Sequence, residues 1–369
     1  MPEDSQVVDF LVDRSDITEC RIVPAGGHDE VELSPGEVLV AVDEFAFTAN
    51  NITYALLGDM LRYWEFFPAE SGWGRIPVWG FGDVVRSEHE GVARGERLYG
   101  YFPMSSWAVL RPSRTTPAIV DGSEHRRELP SVYNTYERTS ADPLYEHDTE
   151  AWQMLFRPLF LTSFLLEDFL SEQDLAGAQE VVITSASSKT AFSLAALLTG
   201  EPRSATTVVG LTSSRNVGFV EGLGCYDRVV AYDDVATLDT DTPVAIVDMA
   251  GDPDLLSKLH HHFGEAVRLS SLVGFSHQGG PDGGAAGQDL PGASPALFFA
   301  PDRASKRSRD WGREELQERM ARAWHEFTAR SSGWLEIVSR HGAVEVERAY
   351  RDTLEGRVPP DQGLILSLR

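Results

Sequence analysis

Ser187-Ser188-Lys189-Thr190 sets three hydroxyls and an ammonium in four consecutive positions. All four are groups that donate hydrogen bonds to an anion. Upstream, Val181-Val182-Ile183-Thr184 is a β-branched apolar run that reads as a buried strand. Downstream, Ala191-Phe192-Ser193-Leu194-Ala195-Ala196-Leu197-Leu198 reads as a helix with an apolar stripe. A strand that enters a helix through a tight turn aims free backbone N–H groups and the positive end of the helix dipole at one spot. That spot suits phosphate. Dinucleotide-binding turns usually carry glycines, which let a pyrophosphate approach the backbone. Ala186, Ser187 and Ser188 are small, but none is glycine. An ordinary strand–turn–helix therefore stays open as the plainer alternative.

A second β-rich run, Thr206 to Leu211, lies one helix further on and predicts a parallel βαβ unit. It ends in Thr212-Ser213-Ser214-Arg215. An acidic residue there would bind the ribose hydroxyl of NAD. Ser213 and Arg215 instead suit a ribose 2′-phosphate through charge-assisted hydrogen bonds, so NADP(H) is the expected cofactor. Tyr232, ending a third strand, is placed to flank the same group. The alternative for Arg215 is a solvated loop side chain.

The chain that must position these residues has 369 residues, 42% of them hydrophobic, enough for two domains. The net charge of −25 argues against nucleic acid or anionic membranes as partners. The expected partner is a small-molecule substrate. Cys20 and Cys225 are the only cysteines, which excludes a disulfide framework and a four-cysteine zinc site. No apolar run is long enough to span a membrane, and the acidic start shows no secretory signal, so a cytoplasmic location is expected. Short strands from Val7 to Leu110, punctuated by Gly and Pro, predict a partly open barrel. Residues 111–150 read as a long polar connection, 152–170 as helix and 311–340 as helix.

Several pieces, in order, resemble the medium-chain dehydrogenase/reductase superfamily. They are Pro35-Gly36-Glu37-Val38-Leu39-Val40, Ile76-Pro77-Val78-Trp79-Gly80-Phe81, Gly95-Glu96-Arg97-Leu98, the helix ending Leu223-Gly224, Asp248-Met249-Ala250-Gly251, and Leu354-Glu355-Gly356. The zinc-free, quinone-oxidoreductase-like side is the most similar. Around Asn50 to Trp64 the chain looks like a bacterial branch known only as a domain of unknown function. The resemblance implies an α/β fold: a Rossmann-like parallel-sheet cofactor domain over residues 156–332, and a GroES-like partly open β-barrel domain over residues 1–155 and 333–369. A homodimer is expected. Where the family has Gly-His-Glu this chain has Gly80-Phe81-Gly82, and Phe81 cannot bind metal, so no metal is expected.

Within that frame, Gly274 and Phe275 fall where backbone meets the nicotinamide, with His277 just beyond. Tyr54 falls near the hydride acceptor, where a phenol can give a proton to a developing alkoxide or enolate. Asn51 is a neighbouring donor, and Tyr133 a second phenol. The alternative for Tyr54 is a core position. The aromatic stretch from Tyr63 to Trp73 reads equally as core or as a substrate wall. His260-His261-His262 cannot all face one ion, because adjacent helical residues point about 100° apart; they read as a surface helix end. The expected function is a zinc-independent NADP(H)-dependent oxidoreductase acting on a carbonyl or conjugated alkene. A non-redox lyase, isomerase or nucleotide-binding protein on the same fold is the alternative.

Overall fold

β-branched runs cut by Gly and Pro turns make the first part of the chain a sheet structure. In the computed structural model, which describes residues 7–200, 206–273 and 290–369, the chain divides into two units. One comprises residues 1–155 and 335–369, the other residues 156–334.

The first unit opens with the antiparallel hairpin of β1 (Val8–Asp13) and β2 (Cys20–Pro24). β3 (Val38–Phe47) follows the Pro35-Gly36 turn and is buried over most of its length. Next come α1 (Ala49–Leu56), β4 (Trp73–Gly74), β5 (Pro77–Ser87), β6 (Arg97–Pro103) and β7 (Trp107–Leu110). Residues 111–150 are not the structureless connection their polarity predicts. They carry β8 (Pro112–Arg114), β9 (Ile119–Asp121) and β10 (Thr135–Arg138), and β10 pairs with β6. These strands are too short to show a period in sequence; pairing makes them, β8 with β9, β9 with β10, and β10 with β6 from outside the stretch. α2 (Glu150–Glu172) leads out of this unit.

The second unit is a run of strand–helix repeats: β11 (Glu180–Ile183), α3 (Lys189–Leu198), β12 (Thr207–Thr212), α4 (Val217–Gly222), β13 (Arg228–Ala231), β14 (Val244–Asp248), α5 (Pro253–Phe263), β15 (Val267–Leu272) and β16 (Ala296–Leu297). The strands are all parallel, in the order β13-β12-β11-β14-β15-β16. That is the doubly wound order, with its reversal between β11 and β14. α6 (Ala300–Asp310) and α7 (Arg313–Ser331) follow. The helix expected to run to residue 340 stops at Ser331, and Gly333 takes φ +94°. The chain then returns to the first unit as β17 (Glu336–His341), α8 (Ala343–Leu354) and β18 (Gln362–Ser367). There β18 pairs with β3, so the last strand closes onto the central one.

The histidine run is a correction. His260 is fully buried, not part of a surface helix end. Its Nδ1 donates to the Pro291 carbonyl (2.9 Å), which leaves Nε2 to accept from the Ser270 hydroxyl (3.0 Å). Helical phase separates the three: His260 shares the buried face with Leu256 and Leu259, whereas His261 is exposed.

Candidate functional site

In the second unit, the turn from β11 into α3 sits where the strand order reverses. In open α/β sheets that is the place where ligands bind. Thr184 locks it: its hydroxyl donates to Asp248 Oδ1 (2.6 Å) and accepts from the N–H groups of Met249 (2.9 Å) and Ala250 (3.0 Å). Burial pushes the Asp248 carboxyl up, and the bonds from Thr184 and Ala250 pull it partly back. Ser185 then takes φ +53°, the left-handed conformation that glycine would normally supply. Its N–H donates to the Tyr232 hydroxyl (3.0 Å). The Ala186 N–H donates to the Leu211 carbonyl (2.9 Å), and the Ala186 carbonyl accepts from the Tyr226 hydroxyl (3.0 Å).

The missing turn glycine has a counterpart on the next strand. A Cβ at Gly210 would lie 2.9 Å from the Ala186 Cβ and 2.8 Å from the Tyr226 ring. Gly210 thus makes room for Ala186, so the turn packs tightly against β12 without a glycine of its own.

Ser188 caps α3, its hydroxyl accepting from the Ala191 N–H (3.3 Å). Among the described residues, the N–H groups of Ser187, Lys189 and Thr190 have no acceptor. Lys189 has no carboxylate or carbonyl partner among them either. It occupies the first turn of a helix, where the dipole disfavours a cation. Burial pushes its ammonium down to about 8. A cation held against both dipole and desolvation, beside three free N–H groups, fits an anionic group such as a pyrophosphate.

On the adjoining turn, Asn216 Nδ2 donates to Ser187 Oγ (3.1 Å), tying the two turns together. Ser213 ends the extended segment, and Arg215 is exposed with no ion pair among the described residues. No acidic side chain lies between Thr207 and Gly218. Tyr232 follows β13 as expected, but its hydroxyl oxygen is engaged by Ser185; it braces the turn. Gly274, Phe275 and His277 lie outside the described residues.

In the first unit, Tyr54 and Tyr133 come together, with company. Tyr54, Phe66, Phe67, Tyr101 and Leu129 are buried, and Tyr63, Trp79 and Tyr133 are partly buried against them. Ring centroids are 4.5 Å apart for Tyr54 and Tyr63, 4.6 Å for Tyr101 and Tyr133, and 5.1 Å for Trp79 and Tyr101. Strand register explains part of this cluster, since Trp79 pairs with Tyr101 and Phe81 with Tyr99 across β5 and β6. Buried Arg126 lies against it, over the Phe67 ring. That guanidinium pairs with Asp121 (3.0 Å) and donates to the Phe66 carbonyl (2.9 Å) and the Tyr136 hydroxyl (2.9 Å). Tyr136 fills the space left by Gly100, and its hydroxyl donates to the Tyr101 carbonyl (2.7 Å).

Burial pushes the Tyr54 phenol well above its ordinary range, with Tyr133 adding to the rise; Trp79, Asn50 and Tyr101 pull it partly back. Trp79 Nε1 and the Tyr101 hydroxyl are buried near the Tyr54 hydroxyl, yet neither makes a well-aligned hydrogen bond with any described residue.

Asn51 is a correction. Its Oδ1 accepts from the Thr48 N–H (2.8 Å) and its Nδ2 donates to the Pro77 carbonyl (3.0 Å), completing a capping box at the start of α1. Its amide serves the helix start, and the amide beside Tyr54 is that of Asn50, four residues earlier on the same helix face. That i, i+4 spacing was the signal available in sequence; Trp79 and Tyr101 had one too, as aromatics alternating along two neighbouring strands. The aromatic insertion divides. Trp64 is core, wedged between Gly58 and Gly74, each of whose Cβ atoms would overlap its ring. Tyr63 joins the cluster. Phe81 is core, against Tyr99 and Tyr145.

No helix among the described residues is long and apolar enough to cross a membrane. No curated protein matches the chain in sequence. Solved structures match it over nearly its whole length. CurA from Vibrio vulnificus in complex with NADPH is 10% identical with TM-score 0.59, covering 99% of this chain and 98% of that one. The quinone oxidoreductase from Coxiella burnetii is 13% identical with TM-score 0.55, covering 99% and 100%. The yhdH oxidoreductase from Salmonella enterica in complex with NADP is 15% identical with TM-score 0.52, covering 99% and 100%. At these identities the likeness is one of fold: a Rossmann-like unit with a GroES-like unit, as in the medium-chain dehydrogenase/reductase superfamily. A family profile matches residues 45–359, most of the chain, and the protein belongs to that family, described as "Protein of unknown function (DUF2855)".

Proposed function

We propose that this protein is an NADP(H)-dependent oxidoreductase that moves a hydride to or from a carbonyl or conjugated-alkene small molecule, without zinc. The observation that carries the reading is the β11–α3 turn, where three N–H groups and a desolvated Lys189, all without a partner among the described residues, meet at the reversal of a parallel sheet. The NADPH and NADP complexes among the structures of the same fold support the choice of cofactor. Ser187, Lys189 and Thr190 hold the pyrophosphate, with Ser188 keeping the helix start in place. Ser213 and Arg215 hold the 2′-phosphate, on a segment that carries no acidic residue from Thr207 to Gly218. Phe81, and no ligating side chain, stands in the Gly80-Phe81-Gly82 stretch, which supports zinc-free chemistry.

The bound dinucleotide supplies or accepts the hydride; the chain manages the proton. Tyr54, kept protonated by burial, gives its proton to the oxygen that becomes an alcohol or enol. The Asn50 amide steadies the phenolate left behind. Titrating the purified protein with NADPH, while following nicotinamide fluorescence, tests the reading. Saturable enhancement is expected, and no binding at high micromolar cofactor removes it.

A further inference from the structure

We infer that the aromatic cluster of the first unit is a binding site for an uncharged, planar aromatic carbonyl compound, whose oxygen accepts hydrogen bonds from Trp79 Nε1 and the Tyr101 hydroxyl. This rests on the proposed oxidoreductase function only in calling that compound the substrate. Buried donors are normally paired, and an unpaired one costs free energy. Two donors without a well-aligned partner are buried side by side here: Tyr101 is 0% exposed, and among the described residues its hydroxyl and Trp79 Nε1 reach only the Tyr54 hydroxyl, and that poorly. Both lie near the Tyr54 hydroxyl, so an acceptor oxygen between them is also within reach of the proposed proton donor.

The surroundings define the rest of the ligand. Tyr133 packs against both donor-bearing residues, its ring centroid 4.6 Å from Tyr101 and 6.0 Å from Trp79, and it is only partly buried. A flat ring takes its stacking place when Tyr133 swings aside. Cluster side chains offer faces, edges and hydroxyls, and no free ammonium or guanidinium. Arg126 is committed to Asp121, and Arg62 to Glu65 at the surface. A carboxylate or phosphate entering this site would lose its water and find no cation in return. The acidic chain, at −25, repels anions further.

Calorimetric titration of the full-length protein with acetylnaphthalene, naphthoate and acetylcyclohexane separates shape from charge. Acetylnaphthalene is expected to bind at least tenfold more tightly than either of the others. Tyr101→Phe keeps the ring and deletes the donor; Trp79→Phe deletes the donor and trims the indole to a single ring. Each is expected to weaken acetylnaphthalene about fivefold to tenfold, while the thermal midpoint of Tyr101→Phe stays level or rises, because a poorly paired buried donor is gone. Equal binding of naphthoate, or unchanged affinity in both variants, overturns the site. A parallel NADPH titration keeps the two ideas apart. NADPH binding without acetylnaphthalene binding removes the ligand class and leaves the cofactor; the reverse leaves the site and removes the cofactor.

Discussion

The β11–α3 turn and the aromatic cluster both hold donors in reserve, and they do so by opposite means. At the turn, the backbone of Ser185 and Ala186 is spent on holding its shape: Tyr232 takes the Ser185 N–H, and Leu211 and Tyr226 clamp Ala186. What remains is a full charge and three N–H groups at a helix start, a combination that favours an anion. In the cluster the backbone is locked into strands β5 and β6, and what remains is neutral, an indole N–H and a phenol. On the proposed reading the turn recognises charge, and the cluster recognises shape and a single acceptor oxygen. The two proposed sites, one charged and one uncharged, would match an enzyme whose cofactor is a polyanion and whose substrate is not.

Removing the proposed proton donor is the harshest way to break that division of labour. With any carbonyl or conjugated alkene the enzyme turns over, Tyr54→Phe should lower kcat about a hundredfold to ten-thousandfold. NADPH affinity should stay as it was, because Tyr54 belongs to the other region. Steady-state kinetics beside cofactor titration reads both, and a drop in kcat of less than tenfold would move the donor role elsewhere.

Arg215→Ala tests the charged region. A charge-assisted bond of roughly 1.5–3 kcal/mol corresponds to a loss of about ten- to a hundredfold for NADPH, with NADH little changed. An unaltered preference between the two cofactors would show that Arg215 is only a solvated side chain.

Lys189→Ala should weaken NADPH and NADH alike, by about tenfold, since both carry the pyrophosphate. Its pH signature is sharper. The free ammonium titrates near 8, and a bound anion raises that value. Affinity is therefore complete below pH 8 and declines as pH rises through 8 toward the bound-state value. The decline should vanish in Lys189→Ala, and a wild-type affinity flat from pH 7 to 9.5 would contradict the role.

Ser185→Gly carries the smallest effect, and its sign is reversed. A non-glycine residue at φ +53° costs roughly 1–2 kcal/mol, part of which glycine's extra unfolded-state entropy cancels. The variant should be more stable by about 0.5–1 kcal/mol in denaturant titration, with NADPH binding intact. A loss of stability would mean that the serine side chain does more than fill the turn.

The amino-acid sequence alone was enough for the strand–turn–helix at 181–198, the parallel βαβ unit and the hydroxyl-and-arginine end of the second strand. Each is a local pattern: β-branched runs, a helical stripe, small residues between them. It was also enough to nominate Tyr54 and Tyr133. Whether they met was a matter for tertiary structure, because Tyr133 sits in a stretch whose short strands exist only through pairing with β6 and β9. Helical phase at a cap decided between Asn50 and Asn51: one turns toward Tyr54, and the other is consumed by Thr48 and Pro77. Burial of His260 beside exposed His261 was settled in the same way, by which face of α5 met the sheet. The absent turn glycine could be judged only in three dimensions. The space it would have made is supplied by Gly210 on the neighbouring strand, and no reading of residues 184–190 contains that residue.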